Sequence, residues 1–150
     1  MTSSRPRFDW QTLYRLDCQV GSFRKARNWT LHELEAISGV PYNSIWRMER
    51  GDIPKLTQAY KLACAFDTTV YTLWNIPLSK RAGRHAENKA LTLRGIREEQ
   101  GWSLGVFSQM SGIPESRLSA IERGKMPTLE MAFRLAHAFG VSVYQLWKPE

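Results

Sequence analysis

The sequence repeats itself at an offset of 73 residues, and this repeat constrains the fold more than any other feature. Residues 24–74 align with residues 97–147 without a gap, and 20 of these 51 positions are identical. Agreement of this extent indicates an internal duplication. Each unit has about 60 residues, which is small for a domain but sufficient for a compact helical one. The chain is therefore expected to contain two copies of one small domain.

Apolar spacing and turn residues predict that each unit is built from helices. In the second copy, Ser103 and Thr128 are good N-caps for a second and a fourth helix, and Gly112 suits the sharp turn between the second and third. The third helix follows Pro114, and a short fifth helix begins at Val143. No convincing strand pattern is present, so the expected fold class is all-α.

The first copy repeats this order, with a longer opening helix. Leu13, Val20 and Phe23 share one face of that helix, and Asp9 is its candidate N-cap. We therefore expect the first helix of this copy to begin well before its counterpart in the second.

The third helices of the two copies share their inward residue types and differ on their outward faces. The inward positions are apolar in both, as Val40, Ile45 and Met48 and as Ile113, Leu118 and Ile121. A helix whose outer face varies on a constant frame is typical of a recognition surface.

Both copies resemble the helix-turn-helix of the lambda-repressor-like family, also called the Cro or XRE type. The second copy carries this resemblance as GWSLGVFSQMSGIPESRLSAIERGKMPTLEMAFRLAHAFGVSVYQLW. The first carries it as NWTLHELEAISGVPYNSIWRMERGDIPKLTQAYKLACAFDTTVYTLW. The resemblance implies two tandem five-helix lambda-repressor-like domains. We place a basic arm at 1–8, the first domain at 9–76, a linker at 77–87 and the second domain at 88–150.

Members of this family place the third helix in the DNA major groove, where each base pair presents a distinct pattern of donors and acceptors. The resemblance therefore implies base reading by Tyr42, Asn43, Ser44, Trp46, Arg47, Glu115, Ser116, Arg117, Ser119 and Ala120. Asn43 suits adenine, and Arg47 and Arg117 suit guanine. Trp46 suits either a thymine methyl group or a protein surface, and Glu115 either a cytosine or the helix dipole.

The resemblance also separates phosphate contacts from structural ion pairs. The residues expected near phosphate are Thr30, Arg50, Lys55, Ser103, Arg123, Lys125 and Thr128. Such contacts position a protein on DNA without reading sequence. Ion pairs are expected between Arg24 and Glu49 and between Arg97 and Glu122, because in the family this glutamate commonly pairs with an arginine of the first helix.

One position departs from the family pattern. The residue four before the turn glycine is small in the family, because the second and third helices cross there. Ser108 fits this pattern, but Glu35 does not. We expect the helix pair of the first copy to be slightly opened, or its second helix to be rotated.

The charge and the linker both fit double-stranded DNA as the partner. The net charge is +7, and Arg5, Arg7, Lys80, Arg81 and Arg84 lie in the arm and linker. The segment 75–88 has a reach of at most about 46 Å, whereas successive major grooves lie about 34 Å apart on one face. One chain is therefore long enough to span two half-sites.

Other classes of function are less well supported. The histidines His32, His85 and His137 are scattered, so we expect no catalysis, metal, cofactor or small-molecule substrate. Cysteine usage and the absence of an apolar span indicate a cytoplasmic protein with no membrane partner. The interpretation is a transcriptional regulator, and more specifically a repressor that occupies a promoter. A protein-binding adaptor or antitoxin-like module is the alternative, and a homodimer remains open.

Overall fold

The computed structural model describes residues 16–76 and 92–148, and these residues form ten helices without a named strand. In the first copy the helices are α1 (Val20–Ala26), α2 (Leu31–Ser38), α3 (Tyr42–Glu49), α4 (Leu56–Ala65) and α5 (Val70–Leu73). In the second copy they are α6 (Leu93–Glu99), α7 (Leu104–Ser111), α8 (Glu115–Glu122), α9 (Leu129–Phe139) and α10 (Val143–Leu146). Each unit has the five-helix order predicted from the sequence. Corresponding helices of the two copies begin 73 residues apart.

Local capping residues set the helix-turn-helix of each copy. Thr30 caps α2 by accepting a hydrogen bond from the Glu33 backbone, and the Glu33 side chain accepts one from the Thr30 backbone. Ser103 caps α7 in the equivalent place. Both helices end at a glycine in the left-handed region, Gly39 at φ 80° and Gly112 at φ 75°. Because glycine adopts this conformation without a side-chain penalty, the chain turns sharply into the third helix.

The prediction of a longer opening helix in the first copy is wrong for residues 16–19, which are the described residues that precede α1. Residues 16–19 are not helical, and α1 begins at Val20 with the same seven-residue length as α6. The Gln19 and Asp17 amides instead donate to the carbonyls of Leu73 and Trp74, at 2.7 and 3.3 Å. The segment therefore lies along the end of α5 rather than continuing α1. The proposed N-cap Asp9 and the residue Leu13 fall outside the described residues.

The opened helix pair expected from Glu35 is not present. Leu34, Val40 and Ile45, which pack between α2 and α3, are between 0% and 1% exposed. Glu35 is only half-buried, and its carboxylate lies 3.7 Å from the exposed His32 ring. Because the long side chain is directed to the surface, the two helices pack as closely as in the other copy.

The two copies pair through contacts that are reciprocal about a pseudo-two-fold axis. The Leu56 amide donates to the Pro127 carbonyl at 3.1 Å, and the Leu129 amide donates to the Pro54 carbonyl at 3.0 Å. Each residue of one bond is the 73-residue counterpart of a residue in the other. Lys55 and Thr128 are also counterparts, and they form an antiparallel bridge with each other. The pseudo-dyad therefore passes between them.

The fifth helices extend the same symmetry. The Tyr71 hydroxyl accepts a hydrogen bond from the Val143 amide at 2.8 Å, and the Tyr144 hydroxyl accepts one from the Val70 amide at 2.9 Å. The Tyr71 ring packs on Phe133, at a centroid distance of 5.1 Å. Reciprocal contacts of this kind define an isologous interface, which in homodimers joins two chains. Here it joins two halves of one chain.

The pairing has one asymmetric element. Tyr60 stacks on Tyr144 at 4.9 Å, and its hydroxyl donates to the carbonyls of Val143 and Trp147. The counterpart of Tyr60 is Phe133, which has no hydroxyl group. Burial raises the pKa of Tyr60, so this hydroxyl stays protonated and able to donate.

Candidate nucleic-acid interface

The third helix of the first copy presents a large polar and aromatic face. Ile45 and Met48 anchor α3 in the core, at 0% and 2% exposure. Because Ile45 and Met48 are three residues apart, they share the buried face of α3, and Asn43, Trp46 and Arg47 face outward. Tyr42, at the start of the helix, is also exposed, and Ser44 is half-buried. All five are residues that the sequence assigned to base reading. The structure brings them onto one surface of α3.

The third helix of the second copy presents a smaller face. Leu118 and Ile121 anchor α8 in the core. Glu115, Ser116 and Arg117 are exposed, whereas Ser119 and Ala120 are half-buried. Arg117 is therefore the one long cationic side chain among the five predicted positions of α8.

An aromatic and cationic pair dominates the face of α3. The Arg50 guanidinium lies over the Trp46 ring, 4.1 Å from its centroid, and Trp46 is 46% exposed. A cation over an indole face is attracted by the ring quadrupole. Arg50 was assigned to phosphate and Trp46 to bases, and this pairing was not predicted. The four-residue spacing on one helix is the signal that would have indicated it.

A second contact brings the start of α2 to the same surface. The rings of His32 and Tyr42 lie 4.4 Å apart, and the His32 side chain is largely exposed. The first copy therefore has an aromatic border at the start of its recognition helix. In the second copy the counterparts of His32 and Tyr42 are Gly105 and Glu115, which form no such border.

The two predicted ion pairs are formed and hold each third helix to the first helix of its domain. Arg24 donates to both carboxylate oxygens of Glu49, at 2.8 and 3.0 Å, and Arg97 does the same to Glu122, at 2.7 and 3.1 Å. A further nitrogen of each arginine donates to a tryptophan carbonyl, that of Trp29 or its counterpart. By accepting these hydrogen bonds, the carboxylates raise the pKa of the arginines.

The residues assigned to phosphate contact occupy helix starts, loop positions and the pseudo-dyad. Thr30, Ser103 and Thr128 are the N-caps of α2, α7 and α9. A hydroxyl that accepts a capping hydrogen bond still has its own hydrogen to donate, and phosphate oxygens accept such bonds. Arg50, Lys55, Arg123 and Lys125 are exposed. Lys55 and Thr128, assigned separately, lie together at the pseudo-dyad.

The pseudo-dyad limits the separation of the two recognition helices. Six residues connect the end of α3 at Glu49 to Lys55, and six connect the end of α8 at Glu122 to Thr128. Six residues reach at most about 20 Å. With about 5 Å between the paired residues, the helix ends lie within about 45 Å of each other. The spacing of adjacent major grooves, about 34 Å, falls inside this limit.

Sequence analysis did not find the residues that pair the two copies. Tyr71 and Tyr144 are identical counterparts, as are Pro54 and Pro127, but their polar contacts cross between the copies. Their identity in the two copies did not indicate the pairing, because identity is equally expected of residues that pack inside each copy. The basic residues of the arm 1–8 and the linker 77–87 lie outside the described residues. Within the described ranges, no helix has the length and apolar character needed to cross a membrane.

Two dyad-related helix-turn-helix domains, each with an exposed face on its third helix, define a DNA-binding protein of the helix-turn-helix class. The Cro/C1-type helix-turn-helix family model matches the chain twice, over residues 21–73 and 93–146. The chain belongs to this family of DNA-binding regulators, which is not a family of enzymes. The match confirms the resemblance and the tandem all-α fold predicted from the sequence. No curated protein and no solved structure matches the chain in the same comparisons.

Proposed function

We propose that the protein is a sequence-specific regulator of transcription that binds double-stranded DNA through α3 and α8 and represses by occupying a promoter. The observation that carries this proposal is that one pseudo-dyad relates the two third helices. Each of these helices has a buried apolar face and an exposed outer face. Direct base reading needs such a face, because only side chains that reach the groove distinguish base pairs.

The roles within the interface follow from position and chemistry. Arg47 and Arg117 read guanine, each with a discrimination worth about 1–3 kcal/mol, and Asn43 reads adenine. Arg123, Lys125 and the N-cap hydroxyl groups contact phosphate and set the register. Arg24 and Glu49, with Arg97 and Glu122, position the recognition helices without touching DNA.

Selection of binding sites from a random duplex pool at near-physiological salt tests this proposal. Enrichment of a defined sequence is expected, and Arg47→Ala and Arg117→Ala should each lower affinity for it by about 10- to 100-fold. Lys25→Ala is the matched control, because Lys25 is an exposed cation that belongs to α1 and to neither third helix. Binding without any sequence preference, falling steeply with salt, would contradict the proposal.

A protein-binding role is the second candidate, and a specific observation favours it. Ile37, Trp46 and Ile53 in the first copy are 50%, 46% and 43% exposed. Among them, tryptophan is a residue type enriched at protein–protein interfaces relative to the rest of the protein surface. In this alternative the first copy binds a protein, and site selection recovers one short motif that depends on Arg117 alone.

A further inference from the structure

We propose that one chain of this protein recognises two different half-sites in inverted orientation, so that its target has the spacing of a palindrome without a palindromic sequence. This inference rests on the proposed function, because it specifies the DNA that the same two helices bind. It adds how the two half-sites are oriented, that their sequences differ, and that one chain binds both.

The inverted orientation follows from the reciprocal contacts between the copies. The pairs Leu56 with Pro127 and Leu129 with Pro54 exchange partners under a two-fold rotation, and Lys55 pairs with its own counterpart. A translation of one copy onto the other cannot produce such an exchange, because it would leave head-to-tail contacts. The recognition helices are therefore related by a rotation, which places half-sites on DNA as inverted rather than direct repeats.

The inequality of the half-sites follows from the two reading faces. The frame of the third helix is shared, but none of the five outward positions carries the same residue in both copies. The arginines are also displaced along the helix, since Arg47 corresponds to Ala120 and Arg117 corresponds to Ser44. A guanine contact at one base-pair position of the first half-site therefore falls at another position in the second.

The two faces also differ in bulk. Trp46, with the Arg50 guanidinium over its ring, projects from α3, whereas the equivalent positions of α8 are Ser119 and Arg123. An exposed indole offers apolar contact to a thymine methyl group, and a serine offers a hydrogen bond in less space. The first half-site is therefore expected to contain a thymine at the position that Trp46 contacts, and the second half-site does not require one there.

One chain suffices for both half-sites. The hydrogen bonds from Val143 to Tyr71 and from Val70 to Tyr144 close the interface inside the chain, with both amide donors at buried residues. A second chain is not needed to supply either side of the pairing. The expected complex contains one chain per target.

Site selection with two versions of the full chain tests the inference. The first version is the natural chain. The second carries Tyr42→Glu, Asn43→Ser, Ser44→Arg, Trp46→Ser and Arg47→Ala, which transfers the outward residues of α8 onto α3. None of these five positions is buried, so the helical circular dichroism of the second version should equal that of the natural chain.

The natural chain should select two unlike motifs, and the transferred version should select one motif with its inverted copy at the same spacing. A duplex carrying two copies of either natural motif should bind the natural chain about 10- to 100-fold more weakly than the selected site. The mass of the complex should correspond to one chain per duplex.

Four other outcomes would be decisive. A true palindrome selected by the natural chain, or two chains per site, would overturn the inference while the proposed function stands. A direct repeat selected by the transferred version would overturn the inverted orientation alone. Failure of the natural chain to enrich any sequence would instead remove the proposed function.

Discussion

Arg97 and Glu122 show how a single pair of side chains can hold a recognition helix in place. Their side chains are only 13% and 7% exposed, and the guanidinium also donates to the Trp102 carbonyl at 2.9 Å. A charge that is largely shielded from water is stabilised by its partner of opposite sign. Removal of that partner leaves a buried charge unpaired and destabilises the fold. The pair Arg94 and Glu98 lies at the surface of the same domain, where water screens both charges.

Glu122→Gln should therefore destabilise the second domain, by about 3 kcal/mol, because it leaves the Arg97 charge half-satisfied. Glu98→Gln is the matched control on the exposed pair and should cost at most about 0.5 kcal/mol. Urea unfolding followed by circular dichroism measures both. Equal losses in the two variants would show that burial does not distinguish the pairs.

Alkaline pH should weaken the fold through Cys18. Burial raises the pKa of this thiol from the usual 9.0 to about 11. Because the folded state keeps the proton that the unfolded state releases, the contribution is complete below pH 9 and is lost as the pH rises through 11. Burial raises the pKa of Tyr144 as well, with the same sign.

The urea midpoint should accordingly fall between pH 9 and pH 11. In Cys18→Ala the fall should be smaller, since this variant has no thiol to titrate. A midpoint that stays constant over this range, or a fall of the same size in the variant, would be evidence against the effect.

At the scale of a helix, α7 contains Gly105 and is followed by Gly112, and the backbone conformations of these two glycines predict opposite effects of the same substitution. Gly112 ends the helix at φ 75°, in a region that residues with a side chain rarely adopt. Gly105 lies inside the helix, where an added Cβ would meet only ordinary contacts at 3.7 Å. The same substitution therefore has a different physical meaning at each end of one element.

Gly112→Ala should destabilise the second domain by about 1–2 kcal/mol, because alanine is strained in the left-handed region. Gly105→Ala should stabilise it by up to about 1 kcal/mol, because alanine favours the helix and restricts the unfolded chain. Thermal unfolding of both variants measures the difference. A loss of stability in both would mean that packing around α7, and not φ, controls the result.

The helix-turn-helix was predictable from the sequence because its determinants are local. Ser103 and Thr128 cap helices through residues three positions away, and Gly112 sets the turn by its own backbone. The start of α1 was not predictable in this way. The apolar spacing of Leu13, Val20 and Phe23 fits a helix, but the amides of Asp17 and Gln19 bond to the distant end of α5. Tertiary hydrogen bonds override a local pattern that gives no sign of them.

At the scale of the whole molecule, two tyrosine hydroxyl groups join the copies. The Tyr71 and Tyr144 hydroxyl groups accept the first amides of α10 and α5, which have no partner within their own helices. Which residues of α3 and α8 face outward was predictable from the sequence, because helix periodicity determines it. The sequence did not predict this pairing, because the identity of Tyr71 and Tyr144 is equally compatible with packing inside each copy.

The double variant Tyr71→Phe with Tyr144→Phe should leave two buried amide donors without acceptors. Each loss is expected to cost about 1–3 kcal/mol. Because the interface weakens more than either core, urea unfolding should separate into two transitions. Tyr42→Phe, which alters an exposed hydroxyl on α3, is the matched control and should unfold as the natural chain does.

The closed pseudo-dyad has a consequence for the dose at which such a regulator acts. A repressor assembled from two chains must first dimerise, so its occupancy of DNA rises with the square of its concentration when the protein is scarce. In the proposed complex, both halves lie on one polypeptide and no assembly step precedes binding. Occupancy should rise in direct proportion to the number of molecules made, with a Hill coefficient of one, so that even a few copies per cell act without a threshold.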